Sequence, residues 1–232
     1  MPWGVGLAEV GANTAQLQGH IEDAGSRTLA GNFIRAVDEV LREGGITASE
    51  IDAIAVSLGP GSWTGLRIGL TAAKTLALSF QIPLIGIPTF DVVARAVNDA
   101  PEDSQLLLVH APCRPGERYA KLWHCHGAEC DLLKPEFIGT LPQIGEQLLE
   151  AGRAQNAVSV ITASPNGEIL ELPDAGVMLE GRKSTFTQRL QAIADLAALR
   201  HGAAHYDDTL ALQPIYLAPS AAEREYYAKH QK

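Results

Sequence analysis

Gly59-Pro60-Gly61-Ser62-Trp63-Thr64-Gly65-Leu66-Arg67-Ile68-Gly69 decides how this chain is read. The short apolar run before it, residues 53–58, suits a buried strand. A helix is predicted over residues 64–80 behind it. Between a strand and a helix, free backbone N–H groups and the helix dipole can hold an anion. On that reading Gly59, Gly61, Ser62 and Thr64 form a phosphate or nucleotide loop. The same residues also suit a tight turn with Ser62 or Thr64 as N-cap. The stretch lacks the Gly-Lys-Ser/Thr ending of a P-loop and the G-x-G-x-x-G spacing of a dinucleotide fingerprint. Lys74 lies too deep in the helix to replace the P-loop lysine. Gly61-Ser62-Trp63 is not a nucleophile elbow, and no catalytic residue is assigned.

The helix behind the loop carries a second signal. Gly65, Gly69, Ala73 and Ala77 recur every four residues and form one narrow stripe of very small side chains. Glycine inside a helix costs about 0.5–1 kcal/mol relative to alanine, so two on one face want a reason. Close approach of another backbone supplies one, from the same chain or from a second protein. Leu66, Leu70, Leu76 and Leu78 lie on the other faces and suit burial.

Outward from this unit, strands are predicted at residues 5–10 and 14–18, with a Gly11-Ala12-Asn13 turn. A helix follows at 29–43, where Phe33, Ile34, Val37, Val40 and Leu41 make one 3.6-period stripe. Gly44-Gly45 ends it. A strand at 84–87 and a helix at 90–97 complete a first subdomain of residues 1–99, closed by a polar, proline-containing connection at 98–104. The second subdomain, 100–232, is predicted to hold strands at 106–110, 118–126 and 158–162 and a helix at 141–151. A late helix at 185–200 is expected to pack back on the first subdomain, with Phe186, Leu190, Ile193, Leu196 and Ala197 on one side. Residues 221–232 read as a charged tail. Strands alternating with helices make this an α/β chain.

Composition narrows the function classes. Of 232 residues 46% are hydrophobic, 19% charged and 6% aromatic, which fits a packed core built mostly from aliphatic side chains. Twenty-seven acidic residues against 18 basic give a net charge of −9, a field that repels nucleic acid. Three cysteines are too few for a disulfide framework, and reduced thiols are expected. His110, Cys113, His124, Cys125, His126 and Cys130 cluster in sequence without the spacing of paired zinc knuckles. Along a strand Cys125 would face away from His124 and His126, so the reading is a core thiol with surface histidines and no metal. Asp91, Asp99, Glu102 and Asp103 read as solvated carboxylates. Neither a secretory signal nor a membrane-spanning run is visible, and a soluble, cytoplasmic protein is expected.

Residues 59–69 closely resemble the G-P-G-S-F-T-G-[VL]-R-I-G signature of the TsaB (YeaZ/Gcp-like) family, with Trp63 in place of the usual Phe. Residues 51–55, 72–78 and 83–87, together with Thr89, continue the likeness. Arg114-Pro115-Gly116-Glu117-Arg118-Tyr119 looks like the family's R-x-G-E-x-Y element, and Pro214-Ile215-Tyr216-Leu217 like its P-x-Y-L. Good correspondence covers residues 33–94. The resemblance implies an actin-like/Hsp70-like ATPase (ribonuclease H-like) fold of two subdomains. It implies a non-catalytic subunit of the machinery that makes threonylcarbamoyladenosine in tRNA. That subunit docks the catalytic homologue TsaD, or a second copy of itself, with TsaE joining them.

ATP and metal are then expected on the partners, with none in this chain, and tRNA is met only indirectly. The helix faces expected to dock are those of Phe33, Val37, Gly65, Gly69, Ala73 and Ala77. Three departures stand out. The family's opening strand, ending in Asp-Thr, has no counterpart ahead of residues 4–7, so the first strand reads as truncated and its neighbours as unpaired. Leu29 replaces the family's His, and Pro112 replaces an acid. All three changes remove polar groups of an actin-like nucleotide site. They weigh against the rival reading, an independent ATP-dependent enzyme of the same superfamily.

Overall fold

β1 (Trp3–Val10) and β2 (Ala15–Asp23) form an antiparallel hairpin that pairs with no other strand among the described residues. The computed structural model describes residues 3–11, 14–23, 29–100, 102–157, 159–170, 172 and 179–216. The expected tail at 221–232 lies outside them, as do Ala12, Asn13, Val158 and Leu217. After the hairpin come α1 (Leu29–Gly44) and a 3-10 turn at Ala48–Glu50. β3 (Ile54–Ser57) and β4 (Leu84–Ile87) form a separate two-stranded parallel sheet, linked by α2 (Trp63–Phe80). α3 (Thr89–Val97) closes the first half.

The second half is one five-stranded sheet. β5 (Gln105–Arg114), β6 (Glu117–His126) and β7 (Glu129–Thr140) run antiparallel, then α4 (Leu141–Gln155) crosses to β8 (Ser159–Ala163) and β9 (Leu179–Arg182). The strand order is β7-β6-β5-β8-β9, with β8 parallel to both neighbours. β5 is central, so it is covered on both faces, and its residues 106–109 read as an unbroken apolar run. Leu107 and Val109 meet Phe90, Val93 and Val97 of α3, while Leu106 and Leu108 meet Ile144 and Leu148 of α4. Strands β7 and β9 were not predicted. β7 contains Pro135, which a central strand would not tolerate, but β7 is an edge. β9 is four residues with a glycine inside.

α5 (Phe186–Gly202) lies against the first half. Its polar side chains dock there: Gln191 accepts from Leu17 N–H at 3.1 Å and donates to Ala15 O at 2.6 Å, and Asp195 pairs with Arg95 of α3 at 3.1 Å. Arg200 donates to Gly86 O at 2.8 Å and pairs with Asp207 at 3.1 Å. No helix among the described residues is long and apolar enough to cross a membrane.

Three expectations about side chains need correcting. Cys125 and Cys130 are joined by a disulfide across the β6–β7 hairpin, directly opposite each other in register, and are not reduced thiols. Cys113 is free. His110 is fully buried and not a surface histidine. Asp91 is not a solvated carboxylate either: with Glu136 it flanks the buried Lys121 ammonium, at 2.6 and 3.0 Å. Asp99 pairs with Arg182.

Candidate functional site

The glycine loop is held from four sides. Leu58 donates to Ile87 O at 2.9 Å, and Thr89 N–H reaches Gly59 O at 2.7 Å. The Ser57 and Thr89 hydroxyls meet at 2.8 Å. Ile215 N–H donates to Leu58 O at 2.8 Å, which brings the late Pro214–Tyr216 segment beside the loop. Gly59 has φ 106°, a left-handed conformation that only glycine adopts at low cost. Ser62 caps α2 by accepting from Gly65 N–H at 3.3 Å. The N-cap turn predicted from sequence is therefore present, and the cap occupies one of the amides an anion would use.

Trp63, Arg67 and Tyr216 form a cluster that sequence reasoning missed. The Trp63 and Tyr216 rings stack with centroids 4.0 Å apart. Arg67 lies 4.3 Å from the Trp63 ring centre and donates to the Tyr216 hydroxyl at 3.1 Å. Trp63 and Arg67 are legible as an i,i+4 pair, but nothing in the sequence announces Tyr216, 149 residues beyond Arg67.

Beyond the loop opens a cleft of about 2020 Å³. Gly61, Ser62, Thr64 and Gly65 border it on one side, and Asn166, Lys183 and Arg189 border it too. Arg189 donates to Pro165 O at 3.0 Å, and burial holds its guanidinium below the usual arginine value against the pull of Glu22. Across the β5–β6 pair, Arg118 donates to His110 Nδ1 at 3.1 Å and pairs with Glu168. Burial first, then Arg118, lowers His110 from 6.5 to about 4. A neutral ring that accepts at Nδ1 carries its proton on Nε2, and that atom is buried without a partner. The cleft thus combines a capped helix start with two cations, Lys183 and Arg189, and with the carboxylates of Glu9, Glu43, Glu50 and Asp52. Among the described residues, no group of three or more His, Cys, Asp or Glu is placed to hold a metal ion.

The expected docking stripe sits differently from a free face. Ala73 and Ala77 are buried against Leu58, Leu70 and Leu84 of this chain, so the small side chains serve internal packing there. Phe33, Val37, Gly65 and Gly69 line the cleft, and Phe33 packs on Trp3 at 5.9 Å. Leu78, expected to be buried, is 53% exposed. No heavy atom lies within 4 Å of where a Gly69 Cβ would stand. Gly69→Ala is therefore expected to raise the unfolding free energy by about 0.5–1 kcal/mol, read by urea denaturation.

Comparison with solved structures gives the fold. The chain has the actin-like α/β fold, matching "YeaZ from Pseudomonas aeruginosa" with a TM-score of 0.68 at 20% identity, over 92% of this chain and 94% of that one. Residues 10–111 match the profile of the family described as TsaD, tRNA N6-adenosine threonylcarbamoyltransferase. Within that fold the chain is similar both to TsaB and, at 41% identity over 69 residues, to the tRNA N6-adenosine threonylcarbamoyltransferase of Bacillus subtilis, 30% of this chain and 20% of that relative. The chain is 35% identical over 77 residues to the tRNA threonylcarbamoyladenosine biosynthesis protein TsaB of Haemophilus influenzae, 33% of each chain. To TsaB of Escherichia coli it is 34% identical over 113 residues, 44% of this chain and 47% of the relative. The chain thus spans between a fifth and a half of the length of these curated relatives.

Proposed function

We propose that this chain takes part in making threonylcarbamoyladenosine in tRNA, as a supporting subunit in the cytoplasm that docks a tRNA N6-adenosine threonylcarbamoyltransferase and leaves the chemistry to it. The observation that carries this reading is the stretch from β3 through the glycine loop and α2. It falls inside the match to the transferase family, in a chain whose curated sequence likeness includes TsaB. A protein built like its own partner's first half can pair with it through equivalent elements. ATP and metal then reside on the partners, and a chain with net charge −9 meets tRNA through them.

Because Ala73 and Ala77 are taken up by packing inside this chain, exposed apolar side chains on α1 and α2 are the surface offered to a partner. Ile34 on α1 and Leu78 on α2 are 55% and 53% exposed, apolar and available to a partner. Ile34→Glu with Leu78→Glu is expected to weaken binding to the cognate transferase at least about tenfold while leaving the unfolding midpoint unchanged, since both side chains stand in solvent. Calorimetric titration with the purified transferase checks it. Unchanged affinity would remove this face from the interface. Tight binding of ATP and magnesium by the isolated chain would favour the independent enzyme instead.

A further inference from the structure

Cys125 and Cys130 close the end of the β6–β7 hairpin, five positions apart and directly opposite in register, with their Cα atoms 4.1 Å apart. The bond adds little to the architecture around it. The two strands pair from Glu117↔Thr140 to His126↔Glu129, and Gly127 turns the chain at φ 63°. That ladder sets the two cysteines face to face whether or not they are joined. A link that closes so short a loop also removes little freedom from the unfolded chain. The fold therefore tolerates the bond open or closed.

The two sulfurs differ in access. Cys125 is 1% exposed and belongs to the core with Val97 and Trp123, whereas Cys130 lies at the rim of the same cluster and is only partly buried. A third group completes the site. Asn98, the C-cap of α3, donates from Nδ2 to Cys130 Sγ and to Gly127 O, both at 3.4 Å. A donor aimed at sulfur favours the thiolate, the form that attacks a disulfide. Cys113, by contrast, falls in the bulge of the β5–β6 pair and has no cysteine opposite it.

We propose that Cys125–Cys130 is a reversible thiol–disulfide site that exchanges with low-molecular-weight thiols through Cys130, with Asn98 favouring the Cys130 thiolate. In the reducing direction the thiolate of a small thiol attacks Cys130 Sγ from the solvent side. The Cys125–Cys130 bond breaks as a mixed disulfide forms on Cys130, and Cys125 leaves as a thiolate that takes up a proton. A second small thiolate attacks the small-molecule sulfur of the mixed disulfide and expels the Cys130 thiolate. Two electrons pass from two small thiols to the protein, their two protons end on Cys125 and Cys130, and the small thiols leave as one disulfide. Oxidation runs the same steps backwards. The Cys130 thiolate attacks a small disulfide, and buried Cys125, already opposite, displaces the small thiol. The proposal is independent of the tRNA role above.

The test uses the full 232-residue chain carrying Cys113→Ser, equilibrated in buffers of rising reduced-to-oxidised glutathione ratio, quenched in acid, alkylated and measured by intact mass. A smooth passage from no alkylated cysteine to two is expected, the same from either starting state, with an unchanged circular dichroism spectrum. Single-thiol chains then compare the two sulfurs. Oxidised glutathione is expected to cap Cys130 in the Cys125→Ser chain at least about tenfold faster than it caps Cys125 in the Cys130→Ser chain, because only Cys130 is within reach. Adding Asn98→Ala to the Cys125→Ser chain is expected to slow capping at pH 7 about threefold or more. The proposal fails if the bond opens only in denaturant or if opening it unfolds the chain. It also fails if Cys125 is capped as fast as Cys130, or if Asn98→Ala leaves the rate at Cys130 unchanged.

Discussion

Gly59→Ala is expected to lower the unfolding free energy by about 3 kcal/mol or more. Two costs combine. The backbone at Gly59 has φ 106°, where an L side chain is strained. A Cβ there would stand 2.8 Å from Leu66 Cδ1 and 3.0 Å from Ile215 O. The leucine can turn away, but the carbonyl belongs to the segment held by the Ile215-to-Leu58 hydrogen bond. Relief must come by moving that segment, and Tyr216 moves with it, away from Trp63. Gly61→Ala is the control: its nearest heavy atoms are side-chain carbons of Leu66 at 3.7 Å, an ordinary contact. Urea denaturation of the two variants separates a general intolerance of side chains in the loop from a specific demand at residue 59.

Lowering the pH from 6.5 to 4.5 is expected to destabilise the chain through His110. In the folded state this ring titrates at about 4 because burial, and then Arg118, oppose its charged form, with Glu168 pulling weakly the other way. Unfolded, it titrates near its ordinary 6.5. Between these values the unfolded chain binds a proton that the folded chain refuses, so stability falls as pH drops through this window. The full difference is about 3 kcal/mol, reached near pH 4. Glu168 and Asp99 are held below 4.5 and 3.8 by their arginine partners, so their stabilisation is lost only at lower pH. Asp91, raised chiefly by burial, acts in the opposite sense. His110→Gln, which keeps an acceptor for Arg118, is expected to flatten the profile between pH 6.5 and 4.5. A wild-type profile already flat there would show that His110 is hydrated in solution.

The sequence made the loop legible because its glycines, its N-cap and the apolar runs around it are local signals. β3, α2, β4 and α3 came within a residue or two for the same reason. What escaped was settled by partners far away in sequence. The Ala73–Ala77 face could meet any backbone, and only the fold turns it towards Leu58 and Leu84. Asp91 looked like a helix-end carboxylate until Lys121 was placed beneath it. The Cys125–Cys130 bond depends on β7 being a strand, and Pro135 obscured that strand. His110 sits in an apolar run whose depth became visible only with both faces covered. Tyr216 gained its role from the stack on Trp63, which no periodicity encodes.

The supporting-subunit reading is tested most directly by reconstitution. The cognate transferase, the other proteins of its pathway, tRNA and the threonylcarbamoyl donor are combined with and without this chain, and threonylcarbamoyladenosine in the tRNA is measured by mass spectrometry. The prediction is strong modification with the chain, background without it, and none from the chain alone. Equal modification in its absence, or modification by the chain without the transferase, would contradict the account.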